Sequence, residues 1–160
     1  MATSDFYTVT ISPTLASTSA TALGSLVAAA TKRAWITGVR VKIGNTGAVA
    51  GNNILFQLAR PNATNTGTTT VTPAAHDFSA AAALSTGYSA WSTAPTVGVV
   101  LASWELPQTS GSMWEEFPPT GDEWGVPAIA TGAANSGVHL FATASVATST
   151  PLIVDFIFSE

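Results

Sequence analysis

Two histidines, His76 and His139, are the only side chains in this chain that titrate near neutrality without help from their surroundings. His76 stands beside Asp77 and serine is abundant, so a Ser-His-Asp relay is the first chemistry to weigh. Such a relay needs nucleophile, base and orienting carboxylate within hydrogen-bond reach, often with the serine on a Gly-x-Ser-x-Gly elbow. The chain has no such elbow. His139, between Val138 and Leu140, reads as an outward strand residue, and His76 as part of a turn. The paired carboxylates Glu115-Glu116 and Asp122-Glu123 raise glycoside hydrolysis or divalent-cation binding, which both need clustered acids. Adjacent residues on a strand point to opposite faces, so Glu115 and Glu116 cannot line one cleft. Asp122-Glu123 follows Gly121 in a proline-rich turn, where acids are solvated, and no calcium loop is present. Gly67-Thr68 lacks the Gly-Lys-Ser/Thr ending of a phosphate loop. The absence of cysteine removes thiolate nucleophiles, disulfides and cysteine-based metal centres together. The expectation is a protein with no catalytic residue, no metal and no cofactor.

The residues that do stand out are apolar or basic. Five tryptophans are many for a chain of this size. Alternation places Trp35 inside the fold, whereas Trp114 and Trp124 flank the Pro118-Pro119 turn and Trp91 sits in a polar stretch. These three are candidate interface anchors, a role in which tryptophan is enriched, with cover over loop backbone as the open alternative. The bases Lys32, Arg33, Arg40, Lys42 and Arg60 all fall in the first half, while the acids crowd the second. Complementary ends can therefore meet within the fold or between subunits, which adds Arg33, Arg40 and Lys42 to the interface candidates. Five bases against nine acids argue against nucleic acid, whose phosphates demand a dense positive stripe.

The elements that position these residues read as strands. Residues 34–43 alternate most clearly, with Trp35, Thr37, Val39, Val41 and Ile43 on one face and Arg40 and Lys42 on the other. Residues 53–60 put Ile54, Phe56 and Leu58 on one face, and the Asn- and Gly-rich stretch between the two runs predicts a hairpin or meander pair. Residues 6–11 alternate until Pro13. Residues 21–31 are ambiguous between helix and strand, and strand is preferred. Residues 61–95 carry little periodicity and predict a long surface excursion pinned by Phe78, Leu84, Tyr88 and Trp91, with one short helical turn at 80–84. Strands resume at 96–106, apolar on both faces and so expected to be covered on both sides, then at 112–117, 124–129, 138–146 and 152–158. The last puts Leu152, Val154, Phe156 and Phe158 on one face. Ile153 and Ile157 share the other, which is too apolar for bare water.

About eight short strands, with no helix able to carry parallel crossovers, predict an all-β antiparallel sandwich of two sheets. With 160 residues the chain is expected to form one domain, 1–160. Charged residues are only 9% of the chain, against about a quarter in an ordinary globular protein. Such a neutral, small-grained surface suits packing against other protein. No run approaches the roughly 18 apolar residues of a membrane span, and the start lacks a signal peptide's basic and apolar regions. The expectation is a soluble protein made in the cytoplasm, with no membrane partner.

Taken in order, these pieces resemble the small head decoration, or cement, proteins of tailed bacteriophages and related jelly-roll capsid-associated proteins. The likeness spreads over most of the chain. It rests on the arginine-bearing strand 34–43 followed by Gly44, a strand ending Leu58-Ala59-Arg60, and Gly67-Thr68 through Thr72-Pro73 to Asp77. The alanine run 80–83, Trp114 ahead of a Pro/Gly turn, Glu123-Trp124 before Val126-Pro127-Ala128, Gly137-Val138-His139-Leu140 and the ending Phe158-Ser159-Glu160 complete it. The resemblance implies a jelly roll, a homotrimer, seated on the outer surface of a virion and bridging copies of the major capsid protein. No catalytic residue comes with that family. The acid-poor, alanine-rich start departs from its pattern and leaves residues 1–30 as either a strand of the sandwich or an arm. A carbohydrate-binding jelly roll and a fibre-base protein are the alternatives.

Overall fold

Alternating apolar side chains commit a segment to lie with one face in a core, and most of the longer strands do so; among the described residues there are thirteen strands. In the computed structural model, which describes residues 5–44, 52–62, 65–109, 111, 113–116, 124–126 and 137–160, these are β1 (Phe6–Ile11), β2 (Thr14–Leu15), β3 (Thr21–Val27), β4 (Ala34–Ile43), β5 (Asn53–Pro61), β6 (Thr66–Val71), β7 (Ala74–Ala75), β8 (Thr86–Thr93), β9 (Val97–Pro107), β10 (Met113–Glu116), β11 (Trp124–Val126), β12 (Val138–Ala144) and β13 (Thr150–Ser159). Sheet 1 runs β10-β4-β13-β1-β7, with β11 also on β4 and β2 on β13; sheet 2 runs β6-β8-β3-β12-β5-β9. Every pairing is antiparallel. No described residue is helical, the segment 80–84 included.

The connectivity is that of a jelly roll. β1 pairs with β13, β3 with β12, β4 with β10 and β5 with β9, so the chain forms nested antiparallel pairs like one long hairpin. Rolling that hairpin up adds the cross-pairs β13–β4 and β12–β5 and sends the strands of each arm, β1, β3, β4, β5 and β9, β10, β12, β13, alternately to the two sheets. The strand count exceeds the eight expected because β6 and β8 widen sheet 2 beyond β3, while short β2, β7 and β11 patch sheet 1.

Both sheets turn a complete apolar face inward. Val9, Val41, Val154, Phe156 and Phe158 from sheet 1 meet Leu26, Ile54, Phe56, Leu58 and Leu140 from sheet 2, all with no exposed area. The sheets touch closely: a Cβ at Gly24 would lie 2.5 Å from Ile11 Cδ1 and 3.4 Å from Phe156 Cε2. The Phe56 and Trp104 rings stack at 5.9 Å, closing the β5–β9 side.

Four sequence expectations change, each for a reason of register or sheet membership. β4 and β5 are not a hairpin: they lie in opposite sheets. Much of the turn between them, 45–51, lies outside the described residues. Trp35 is not inside, because β4 carries an extra residue opposite Ile157/Phe158 that shifts its phase. Ala34 and Ile36 fill the core and Trp35 sits half-buried on the outer face, with the Arg33 guanidinium 5.3 Å from its ring centroid. β9 is apolar on both faces for the same reason rather than from being covered twice. It is the edge strand of sheet 2, and register shifts at Leu58/Ala59 and Arg60/Pro61 leave Val99 67% and Val100 41% exposed. Finally, the stretch 61–95 is not an unstructured excursion, since β6 and β8 form a hairpin inside sheet 2.

Candidate functional site

Four of the ten interface candidates share one surface, the outer face of sheet 1. Register lines up residues from strands far apart in sequence. One row is Met113, Lys42 and Ile153, from β10, β4 and β13. The next is Glu115, Arg40, Asp155 and Thr10, which adds β1. A third holds Gly38, Ile157 and Thr8, and the last, at the end of the sheet, Trp35, Ser159 and Phe6.

The charged row is wired across all four strands. Thr10 Oγ1 donates to Asp155 Oδ1 at 2.6 Å, Arg40 Nη1 lies 3.7 Å from Asp155 Oδ2, and Arg40 Nε donates to Glu115 Oε1 at 2.5 Å. Asp155 is nearly buried, so Arg40 and Thr10 offset a real desolvation penalty there, whereas the Arg40–Glu115 pair is solvated and contributes little. Arg40→Met is therefore expected to destabilise the fold by about 1–2 kcal/mol, mostly through Asp155, while Glu115→Gln costs under about 0.5 kcal/mol. Urea unfolding of the two variants checks the ordering. Around this polar row the face is apolar, with Met113 55% and Ile153 40% exposed and Ile157 half-buried.

The other candidates separate from this face. Arg33 reaches it only at its end, over Trp35. Trp114 pairs with inward-facing Val41, so it lies on the core side at the sheet edge, 41% exposed. β11 brings the Trp124 backbone onto β4, but its side chain, like Asp122, Glu123 and the Pro118-Pro119 turn, lies outside the described residues. Tyr88 and Trp91 belong to β8 on the outer side of sheet 2. Tyr88 lies over Gly67, where a Cβ would come within 2.2 Å of its ring, and Trp91 packs 5.8 Å from the His139 ring. Both are already used inside the molecule. His139 does face outward from its sheet but is wholly buried, between Trp91 and Phe141.

Phe78 is alone: it is fully exposed at the tip of the loop between β7 and β8. That loop is tied down. Tyr7 Oη donates to Ala81 O at 2.9 Å, His76 N donates to Phe6 O at 2.9 Å, and the His76 ring shares a 2.6 Å hydrogen bond with Thr8 Oγ1. Asp77 Oδ1 accepts from Ser79 N and Ser79 Oγ, both at 2.8 Å, and these bonds hold its carboxyl below the usual range. The Glu160 carboxylate accepts from Leu84 N, Ser85 N and Ser85 Oγ at 2.5, 3.1 and 2.6 Å. Asp77 is thus engaged by Ser79, and the His76 ring by Thr8.

Tyr7 links this loop to the pH. Burial, then the charges of Asp5 and Glu160, push its phenol above its ordinary value of 10.0. The folded state therefore holds the proton more tightly than the unfolded chain. The corresponding stability is complete below about pH 10 and is lost as pH rises through the folded value. The urea midpoint should fall more steeply above pH 10 in the wild type than in Tyr7→Phe, and equal slopes would show that Tyr7 is not the linked group.

Among the described residues, no three His, Cys, Asp or Glu side chains converge in a way that could hold a metal ion, and no helix is long and apolar enough to cross a membrane. Sequence reasoning missed Met113, Glu115 and Trp35 as members of the sheet 1 face, and Glu160 as the tether of the loop. No family model matches the chain, and no curated protein matches it.

Proposed function

We propose that the chain is a non-enzymatic structural subunit of a bacteriophage virion. It decorates the outer surface of the capsid after synthesis in the host cytoplasm, associates with copies of itself as a homotrimer, and stabilises the shell by bridging major capsid subunits. The observation that carries this reading is apolar area left in water by a molecule whose core is already closed. Val99, Met113 and Ile153 stand exposed on an edge strand and on a sheet face, and Phe78 on a loop tip. The low charge of the chain removes the repulsion that keeps neighbours apart. Individually weak contacts then sum to high avidity when repeated over a lattice. The jelly-roll connectivity, which capsid and lectin domains share, supports the class of protein by analogy of fold.

The test uses purified protein and phage heads that lack decoration. It is expected to sediment with the heads, to saturate at a fixed ratio to the major capsid protein, and to raise the temperature at which the heads rupture. Protein that stays in the supernatant at every concentration would end this reading. Exposed Trp114 supports a second one, carbohydrate binding. Retention on a glycan array that Trp114→Ala abolishes would favour it.

A further inference from the structure

A phenylalanine in water on a slack loop is unremarkable; Phe78 is held out on a loop tied on both sides of it. His76, Ser79, Ala80 and Ala81 are bonded before and after it, and Glu160 clamps the far end at Leu84 and Ser85. A side chain presented this way has little backbone entropy to lose on docking. The base of the loop is acidic: Asp77 adjoins Phe78, Glu160 forms the clamp, and Asp5 and Glu160 both act on Tyr7 beneath it.

The complementary chemistry lies on the other flank of the same sheet. There the exposed apolar pair Met113 and Ile153 brackets exposed Lys42 in one register row, and the face carries the cations Arg40 and Lys42, with Arg33 at its end over Trp35, against the carboxylates of Asp155 and Glu115. The loop leaves β7, the far edge of sheet 1, with β1, β13 and β4 between it and β10. One copy therefore cannot bring its own loop to its own apolar row.

We propose that Phe78 of one copy docks on the outer face of sheet 1 of the next copy, against Ile153 and Met113, with the acidic loop base meeting Lys42. This rests on the self-association proposed above and gives it a surface. The contact is head-to-tail, so it closes into a ring when the rotation between copies permits.

Because Phe78 is fully exposed, Phe78→Ser should leave the circular dichroism spectrum and melting temperature of the isolated fold unchanged. In analytical ultracentrifugation it should weaken association by about tenfold or more, as loss of a buried anchor does. Lys42→Glu should weaken it as well, and Asp77→Asn, which keeps an acceptor for Ser79, by a smaller factor. The chain has no cysteine, so single cysteines report the geometry cleanly. A mixture of Phe78→Cys and Ile153→Cys proteins should be joined by a short bismaleimide, while neither variant alone should be. A wild type that stays monomeric at all concentrations overturns the proposal, as does a Phe78→Cys protein that crosslinks to itself. So does a Phe78→Ser oligomer as tight as wild type, and if that oligomer no longer sediments with heads, Phe78 meets the shell instead. An oligomer built as described that ignores heads would sustain this contact and remove the capsid role.

Discussion

Phe156→Ala is expected to cost about 3–5 kcal/mol, the range for deleting a buried aromatic ring, and so to lower the melting temperature by roughly 10 °C or more in a domain of this size. Phe156 lies in β13, which is paired on both sides, with Val39 of β4 and Val9 of β1 as its register partners. All three are in the core, and the ring itself has no exposed area. From sheet 2 Gly24 lies against the ring, an added Cβ standing 3.4 Å from Phe156 Cε2, while Ile11 Cδ1 fills the space of the missing side chain. The neighbours that could collapse into the vacancy belong to paired strands, so relaxation is limited and the cavity term stays large. Calorimetry of the variant checks this. A loss under about 1.5 kcal/mol would mean that the two sheets close onto each other more freely than their packing implies.

The second large effect is expected at Gly137, which immediately precedes β12. Its φ of 89° lies in the left-handed region, and a Cβ there would stand 2.7 Å from Leu26 O and 2.8 Å from Val27 Cγ2. The conformational term alone costs about 1–2 kcal/mol, and intrusion on a backbone carbonyl adds about 1–3 kcal/mol because β3 is held between β12 and β8. Gly137→Ala is expected to lose about 2–5 kcal/mol in urea unfolding. Gly111 separates the two causes, since its φ of 81° is similar but, among the described residues, no atom lies within 4 Å of the added Cβ. Gly111→Ala should therefore show the conformational term alone, at about 1–2 kcal/mol. Equal losses at the two sites would remove the steric part of the explanation.

These two sites also show how differently the sequence speaks of the fold. The inward face of β13 is plain from Leu152, Val154, Phe156 and Phe158, and that of β5 from Ile54, Phe56 and Leu58, because a two-residue period is written along the strand itself. The same period misled at β4, where one extra residue inverts the phase, and at β9, where two register shifts do, and nothing local marks either. The stretch 61–95 looked unstructured because β6 and β8 lie at the margin of sheet 2, where exposed threonines suffice and no apolar stripe is required.

The candidate surface was half legible. Ile153 and Ile157 stand out as apolar residues on the wrong side of a core strand, and Arg40 and Lys42 as the charged face of β4. That Asp155 answers Arg40 was not legible, since their adjacency depends on a strand pairing that spans most of the chain. The Glu160 clamp on Leu84 and Ser85 has the same origin.

The sequence by itself determined that this protein is all-β, where the major strands outside 61–95 lie and, apart from β4 and β9, which face of each of these is greasy, because side-chain alternation and turn chemistry act over a few residues. Only the tertiary structure decided which strands pair, which sheet each joins, where bulges shift the phase, and hence which apolar residues remain in water. Those outcomes follow from backbone hydrogen bonds and core volume shared between distant segments, and no window along the chain contains both partners.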